Sequence, residues 1–168
     1  MSILHFKKAL IVIPIFTLLL FSFLKSVSAA ENDNSFRKEA INPGSFYYSF
    51  KRLWEKGLEV LQFGEQAQIN YKKSLLKTRL AELNYVVDQK LLSELQSSTE
   101  RVSYEAGVLT NKVLKQNKKE NKGDLIKVFN QYDKYLPSLR DKFPANSSFW
   151  MLIQHDINSL KILSDQLK

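Results

Sequence analysis

Cysteine is missing from all 168 residues, so a thiol nucleophile, a disulfide and a thiolate metal site are excluded at once. Lipid attachment through an N-terminal cysteine is excluded with them. Histidine occurs only at His5 and His155, too few for the paired Glu-x-x-His motifs of a di-iron bundle. A serine triad would have to use His155, whose neighbours Gln154 and Asp156 form no nucleophile elbow; His155 reads as an exposed helix residue. Five glycines and four prolines leave no Gly-rich phosphate loop and few places to break a helix. Alternating apolar and polar residues never persist long enough for a strand. These absences argue against an enzyme and against a cofactor or metal. Two carboxylates alone suffice for a glycosidase, so a carboxylate-based cell-wall hydrolase stays as a third reading.

The first thirty residues stand apart. Lys7 and Lys8 precede an almost unbroken apolar run, Ala9 to Leu24, and KSVSAA then ends in small residues. That order is the layout of a signal peptide, with cleavage leaving Ala30 or Glu31 as the new start. Sixteen apolar residues interrupted by Pro14 fall short of the roughly 20 that span a bilayer. Lys25, directly after the run, instead favours retention as an N-terminal membrane anchor. Under both readings the rest of the chain is exported to an extracellular, periplasmic or cell-surface location. Without residues 1–30, which carry three lysines and no acid, the net charge falls from +8 to +5. Residues 31–42 form a polar linker, and the stretch from residue 43 onward has the length of one domain.

Beyond the linker, the periodicity is helical throughout and predicts an all-α antiparallel bundle of about five helices. A first helix is expected from Ser45, as N-cap, to about Phe63, with Phe46, Phe50, Leu53, Gly57, Val60 and Leu61 on a core face. Gly57 would permit a close helix crossing there. A second helix, 65–87, carries Ile69, Leu76, Leu80, Leu83 and Val87, with Tyr71, Leu75 and Val86 as a second stripe that marks it as central. A third, 90–115, repeats Leu92, Leu95, Thr99, Val102, Ala106, Leu109 and Val113 at alternating spacings of three and four. KQNKKENKG (115–123) is expected to close it, with Asp124 capping a fourth helix that Pro137 kinks or splits. A fifth starts at Ser147 or Ser148. The expected division is a three-helix core over 43–122 and a helical hairpin over 123–168 packed on it.

Two polar features are candidates for a site. Lys115, Lys118, Lys119 and Lys122 form a basic run that suits an anionic partner, or simply a solvated helix end. Tyr48, Lys51, Arg52 and Glu55 share the polar face of the first helix, and Arg79 and Glu82 sit beside the second stripe of the next helix. A buried charge needs a partner, so a network joining the two sets would fix the register of the helices. Asn146 begins a glycosylation sequon, but the position serves equally as a helix cap.

PGSFYYSFKRLWE followed by RLAEL resembles the bacterial extracytoplasmic helical family catalogued as domain of unknown function 5667. The positions that carry the resemblance are Pro43, Ser45, Tyr48, Lys51, Arg52, Glu55, Arg79, Leu80 and Glu82, over residues 43–122. Leu75 and Leu76 stand where family members often have small residues. The resemblance implies a helical domain outside the membrane, sometimes found on anti-sigma-factor-like proteins, and it carries over no catalytic residue. The leading expectation is an exported, non-enzymatic binding, sensing or structural module at the cell envelope. Its partner would be an envelope protein or an anionic surface polymer, not a specific nucleic acid, with membrane contact only through residues 1–30 if these are retained. The alternative is a periplasmic chaperone-like helical protein, which LQFGEQ (61–66) faintly echoes.

Overall fold

The computed structural model describes residues 39–168; the signal or anchor segment and most of the linker lie outside them. Among the described residues there are five helices and no strand: α1 Tyr48–Val60, α2 Glu65–Asp88, α3 Leu92–Gln116, α4 Lys119–Arg140 and α5 Ser148–Gln166. Short connections fold them back and forth as an antiparallel bundle. None of these helices is long and apolar enough to cross a membrane.

The apolar stripes of α2 to α5 fall where their periodicity puts them, except that Leu92, at the first turn of α3, is exposed. Ile69, Leu76, Leu80, Leu83 and Val87 from α2 meet Leu95, Val102, Ala106, Leu109 and Val113 from α3. Leu125, Phe129, Leu136 and Leu139 from α4 and Ile153, Ile157 and Leu160 from α5 complete one continuous buried cluster. Each such side chain contributes roughly 1.5–3 kcal/mol by leaving water, so this cluster dominates the fold. Residues on both sides of position 122 share it.

Three expectations are corrected. First, α3 rather than α2 is the hub: α3 packs on α2, α4 and α5. The seam of α3 carries no charge, whereas one buried side of α2 holds Lys72, Arg79 and Glu82 and accepts only a polar neighbour. Second, α3 ends at Gln116, close to the expected 115, but Asn117 closes it and not Gly123. Asn117 adopts the left-handed conformation (φ 53°) and returns its N–H to the Val113 carbonyl at 3.0 Å; asparagine reaches this region at lower cost than most residues. Gly123 and Asp124 lie inside α4, so the boundary drawn at 122/123 cuts a helix. Third, α4 runs unbroken past Pro137 to Arg140, because a proline in the last turn removes one hydrogen bond without splitting the helix. The start of α5 is as expected: the Ser147 hydroxyl accepts from the Trp150 N–H at 3.2 Å.

Candidate functional site

The site is built where α1 lies on α2. The chain enters through a turn in which Gly44 takes φ 86°, a conformation costly for residues with a Cβ, and the Ser45 N–H bonds the Asn42 carbonyl at 3.2 Å. Ser45 does not cap α1 as expected. Its hydroxyl accepts from the Tyr47 N–H at 3.3 Å, tightening the turn, and the helix begins three residues later without a side-chain cap.

The inner face of α1 is polar. Glu82, 1% exposed, is its focus. One carboxylate oxygen accepts from Lys51 Nζ at 2.7 Å and Arg79 Nη1 at 2.9 Å; the other accepts from the Tyr48 hydroxyl at 2.7 Å and Arg79 Nη1 at 2.8 Å. Arg79, equally buried, reaches Glu55 on α1 with its second Nη. Lys51 also holds Glu39 Oε2 and the Ile41 carbonyl, each at 3.0 Å, so the end of the expected linker is packed against α1. Above them the Arg101 guanidinium from α3 lies 5.2 Å from the centre of the Tyr48 ring, within cation–π range.

Charge partners set the ionisation here. Burial alone would raise the Glu82 carboxyl, but Arg79 and Lys51 outweigh it and hold it below the ordinary carboxylate range. Burial likewise pulls Arg79 down, and Glu82 and Glu55 more than restore it. Burial, then the charge of Glu82, push the Tyr48 hydroxyl well up, so it remains a donor. With both Glu82 oxygens saturated and Lys51 Nζ and both Nη groups of Arg79 paired, the arrangement clamps two helices together; among the described residues the buried Arg79 Nε has no hydrogen-bond partner.

The structure thus brings Tyr48, Lys51, Glu55, Arg79 and Glu82 together. Arg52 stands aside, its Nη1 buried without a hydrogen-bond partner among the described residues, in a cleft it lines with Glu55, Glu59, Lys72 and Glu105. Sequence reasoning missed a second ion group in that cleft. Lys72, 4% exposed, binds Glu59 of α1 at 2.9 Å and Glu105 of α3 at 3.1 Å. Burial lowers its pKa, and the hydrogen bond to Glu59 with the charge of Glu105 more than offsets this. The Tyr71 hydroxyl donates to the Glu55 carbonyl at 2.6 Å; burial, then Glu55, push it up to about 12. Sequence reasoning also missed Asp156, buried between α3 and α5. One of its oxygens accepts from the Ser103 hydroxyl at 2.5 Å, the other has no partner, and burial pushes its carboxyl up to about 8.

The outer face of α1 reverses the expected core stripe. Phe46 is 92% exposed, and Phe50, Leu53, Val60, Leu61 and Phe63 are all more than half exposed. Tyr48, on the opposite, polar face, is buried instead. The reason lies in α2, whose receiving side is charged and therefore selects the polar face of α1. Gly57, expected at a helix crossing, is exposed, and a Cβ added there would meet nothing within 4 Å.

The basic run is also placed differently. Lys115 ends α3, while Lys118, Lys119 and Lys122 lie at the start of α4; all but the half-buried Lys122 are exposed. Cations there reinforce the positive end of the α4 dipole instead of relieving a C-terminus. Among the described residues, no group of three or more His, Asp or Glu side chains is placed to hold a metal ion.

A family model described as Domain of unknown function (DUF5667) matches residues 40–135, which takes in the α1 clamp, α2, α3 and most of α4. No curated protein and no solved structure matches the chain.

Proposed function

The chain belongs to this family, the domain of unknown function 5667, and from that premise we propose that it is a non-enzymatic, exported helical module that docks at the cell envelope through the outer face of α1. One observation carries the reading: large apolar side chains between Phe46 and Phe63 face solvent on α1 and on the turns at its two ends, while the polar face of the helix is locked to the bundle. Exposed apolar patches of this kind mark interaction surfaces. Export is supported by Lys7, Lys8, the apolar run Ala9 to Leu24 and the small residues after it. A non-catalytic role is supported by the commitment of the buried Glu82 and Glu105 to ion pairs. The exposed lysines 115, 118 and 119 offer a separate contact for an anionic surface polymer.

Fractionation of the native host, with N-terminal sequencing of the recovered chain, tests the proposal. The expected result is a chain outside the cytoplasm, either starting at Ala30 or Glu31 or retained full-length in the membrane fraction. A soluble cytoplasmic chain would overturn it. Where the chain starts at Ala30 or Glu31, the double variant Phe50→Ser/Leu53→Ser should leave the envelope fraction, with no change in thermal midpoint of the dilute single chain.

The same exposed row also favours the chaperone-like reading, although it lies on the outside of a helix and not in a concave groove. Suppression of aggregation of a chemically denatured test protein by the wild-type chain, and not by the double variant, would decide for that reading.

A further inference from the structure

Resting on the docking surface just proposed, we infer that its occupant is a second copy of this chain and that attachment to the envelope depends on this pairing: two α1 helices cross face to face at Gly57 and form a two-fold dimer. The first reason is area. A Phe, Tyr or Trp side chain presents about 150–250 Å². At the exposures of Phe46, Tyr47, Phe50, Leu53, Trp54, Val60, Leu61 and Phe63, the row offers on the order of 1,000 Å². The largest patch on a typical monomer is about 300–600 Å², whereas a standard interface takes about 800 Å² from each partner.

The second reason is Gly57. At 100° per residue it shares its face with Phe50, Leu53, Trp54 and Leu61. A glycine inside a helix costs about 1 kcal/mol relative to alanine, and nothing within its own bundle approaches it. A missing Cβ in the middle of an apolar face lets another helix come closer than the usual separation of roughly 8–10 Å. A lipid surface would gain nothing from the gap, since a leucine there would insert better.

The third reason is charge. α1 itself exposes one cation, Lys56, with Glu65 exposed just beyond its end, so the row lacks the basic rim that draws amphipathic helices to anionic bilayers. A two-fold pairing needs only one patch that complements itself.

The absence of cysteine makes the test direct. Gly57→Cys is introduced into the full-length chain, expressed in its host and treated with diamide in the recovered fraction. Lys134→Cys, at an exposed position of α4, serves as the control. A disulfide requires Cα atoms within about 7 Å, so a crossing at residue 57 should give at least tenfold more covalent dimer than the control. Adding Leu53→Glu to the Gly57→Cys chain should abolish the product while its helical circular dichroism is retained. Gly57→Leu should lower the dimer fraction in sedimentation by at least tenfold.

Equal cross-linking at both positions would mean random collision and overturn the dimer. No cross-link, with Phe50→Ser/Leu53→Ser still released from the envelope, would also overturn it and assign the row to a bilayer or another protein, leaving the docking reading intact. In that case, tighter association of Gly57→Leu with lipid vesicles would identify the bilayer. No cross-link and no release would remove both readings.

Discussion

α1 and α4 are both amphipathic helices of one bundle, and they are seated by opposite chemistry. α4 buries Leu125, Phe129, Leu136 and Leu139 and turns its charges to water. α1 buries Tyr48 together with the Lys51 and Glu55 ion pairs and turns its phenylalanines to water. Amphipathicity provides two faces, but the surface that receives the helix selects between them. Ion pairs gain little over water unless every charge is matched, so α1 is held by complementarity where α4 is held by area.

Four changes would break or sharpen this contrast. The largest effect is expected where the apolar core breaks its own pattern, at Asp156. Its carboxyl is raised to about 8 from an ordinary 3.8, so the folded chain stays protonated where the unfolded chain ionises. Stability is unaffected below the ordinary value, falls as the pH rises between the two, and is level above about 8. At roughly 1.4 kcal/mol per unit, the loss is on the order of 5 kcal/mol. Asp156→Asn should abolish that slope in urea unfolding from pH 4 to 8. Glu82 works with the opposite sign. Its lowered pKa contributes stability above the ordinary 4.5, and the contribution is lost as the pH falls through the folded value. Hydrogen exchange in α1 should therefore quicken in acid while the Asp156 region tightens.

Next comes Arg79→Met. It strands the buried Glu82 without its guanidinium and should cost about 3–5 kcal/mol, and the double variant Arg79→Met/Glu82→Gln should cost less than the single. Leu109→Ala, at a fully buried core position, should cost about 2–5 kcal/mol. The two are told apart by hydrogen exchange: Arg79→Met should expose α1 first, whereas Leu109→Ala should loosen α2 to α5 together. The smallest effect is expected at Phe50→Ser, within about 0.5 kcal/mol of wild type in thermal unfolding of the chain diluted to the monomer, because the ring is exposed in the single chain. A large destabilisation there would mean that α1 is seated through its aromatic face after all.

The contrast also explains what was legible in the sequence. The cores of α2 to α5 were, because apolar side chains at spacings of three and four have one low-energy destination. The inner face of α1 was read the wrong way round because the same rule assumes an apolar receiver. The signal that corrects it lies in α2: Lys72, Leu75, Arg79, Glu82 and Val86 recur at core-like spacing, so a charged face is being buried there. The pairing of Arg79 and Glu82 with Lys51 and Glu55 was accessible for that reason. The partners of Lys72 were not, since Glu59 and Glu105 come from helices whose rotation only packing defines. The end of α3 was legible, but the start of α4 was placed too late because glycine was weighted over asparagine as the closing residue, and Asn117 reaches the left-handed turn first.

The attachment of Lys51 has a mechanical consequence. Glu39 and the Ile41 carbonyl both grip its ammonium, which in turn holds Glu82 of α2. A pull on the chain ahead of residue 39 therefore loads the contacts of α1, this side chain first among them, before it loads the apolar core. These bonds act side by side with those of Tyr48, Glu55 and Glu59, so the force that parts α1 from the bundle is set by the whole clamp and not by the apolar core. Under tension α1 would peel away while α2 to α5 stayed folded, like a fuse placed between the incoming chain and the body of the protein.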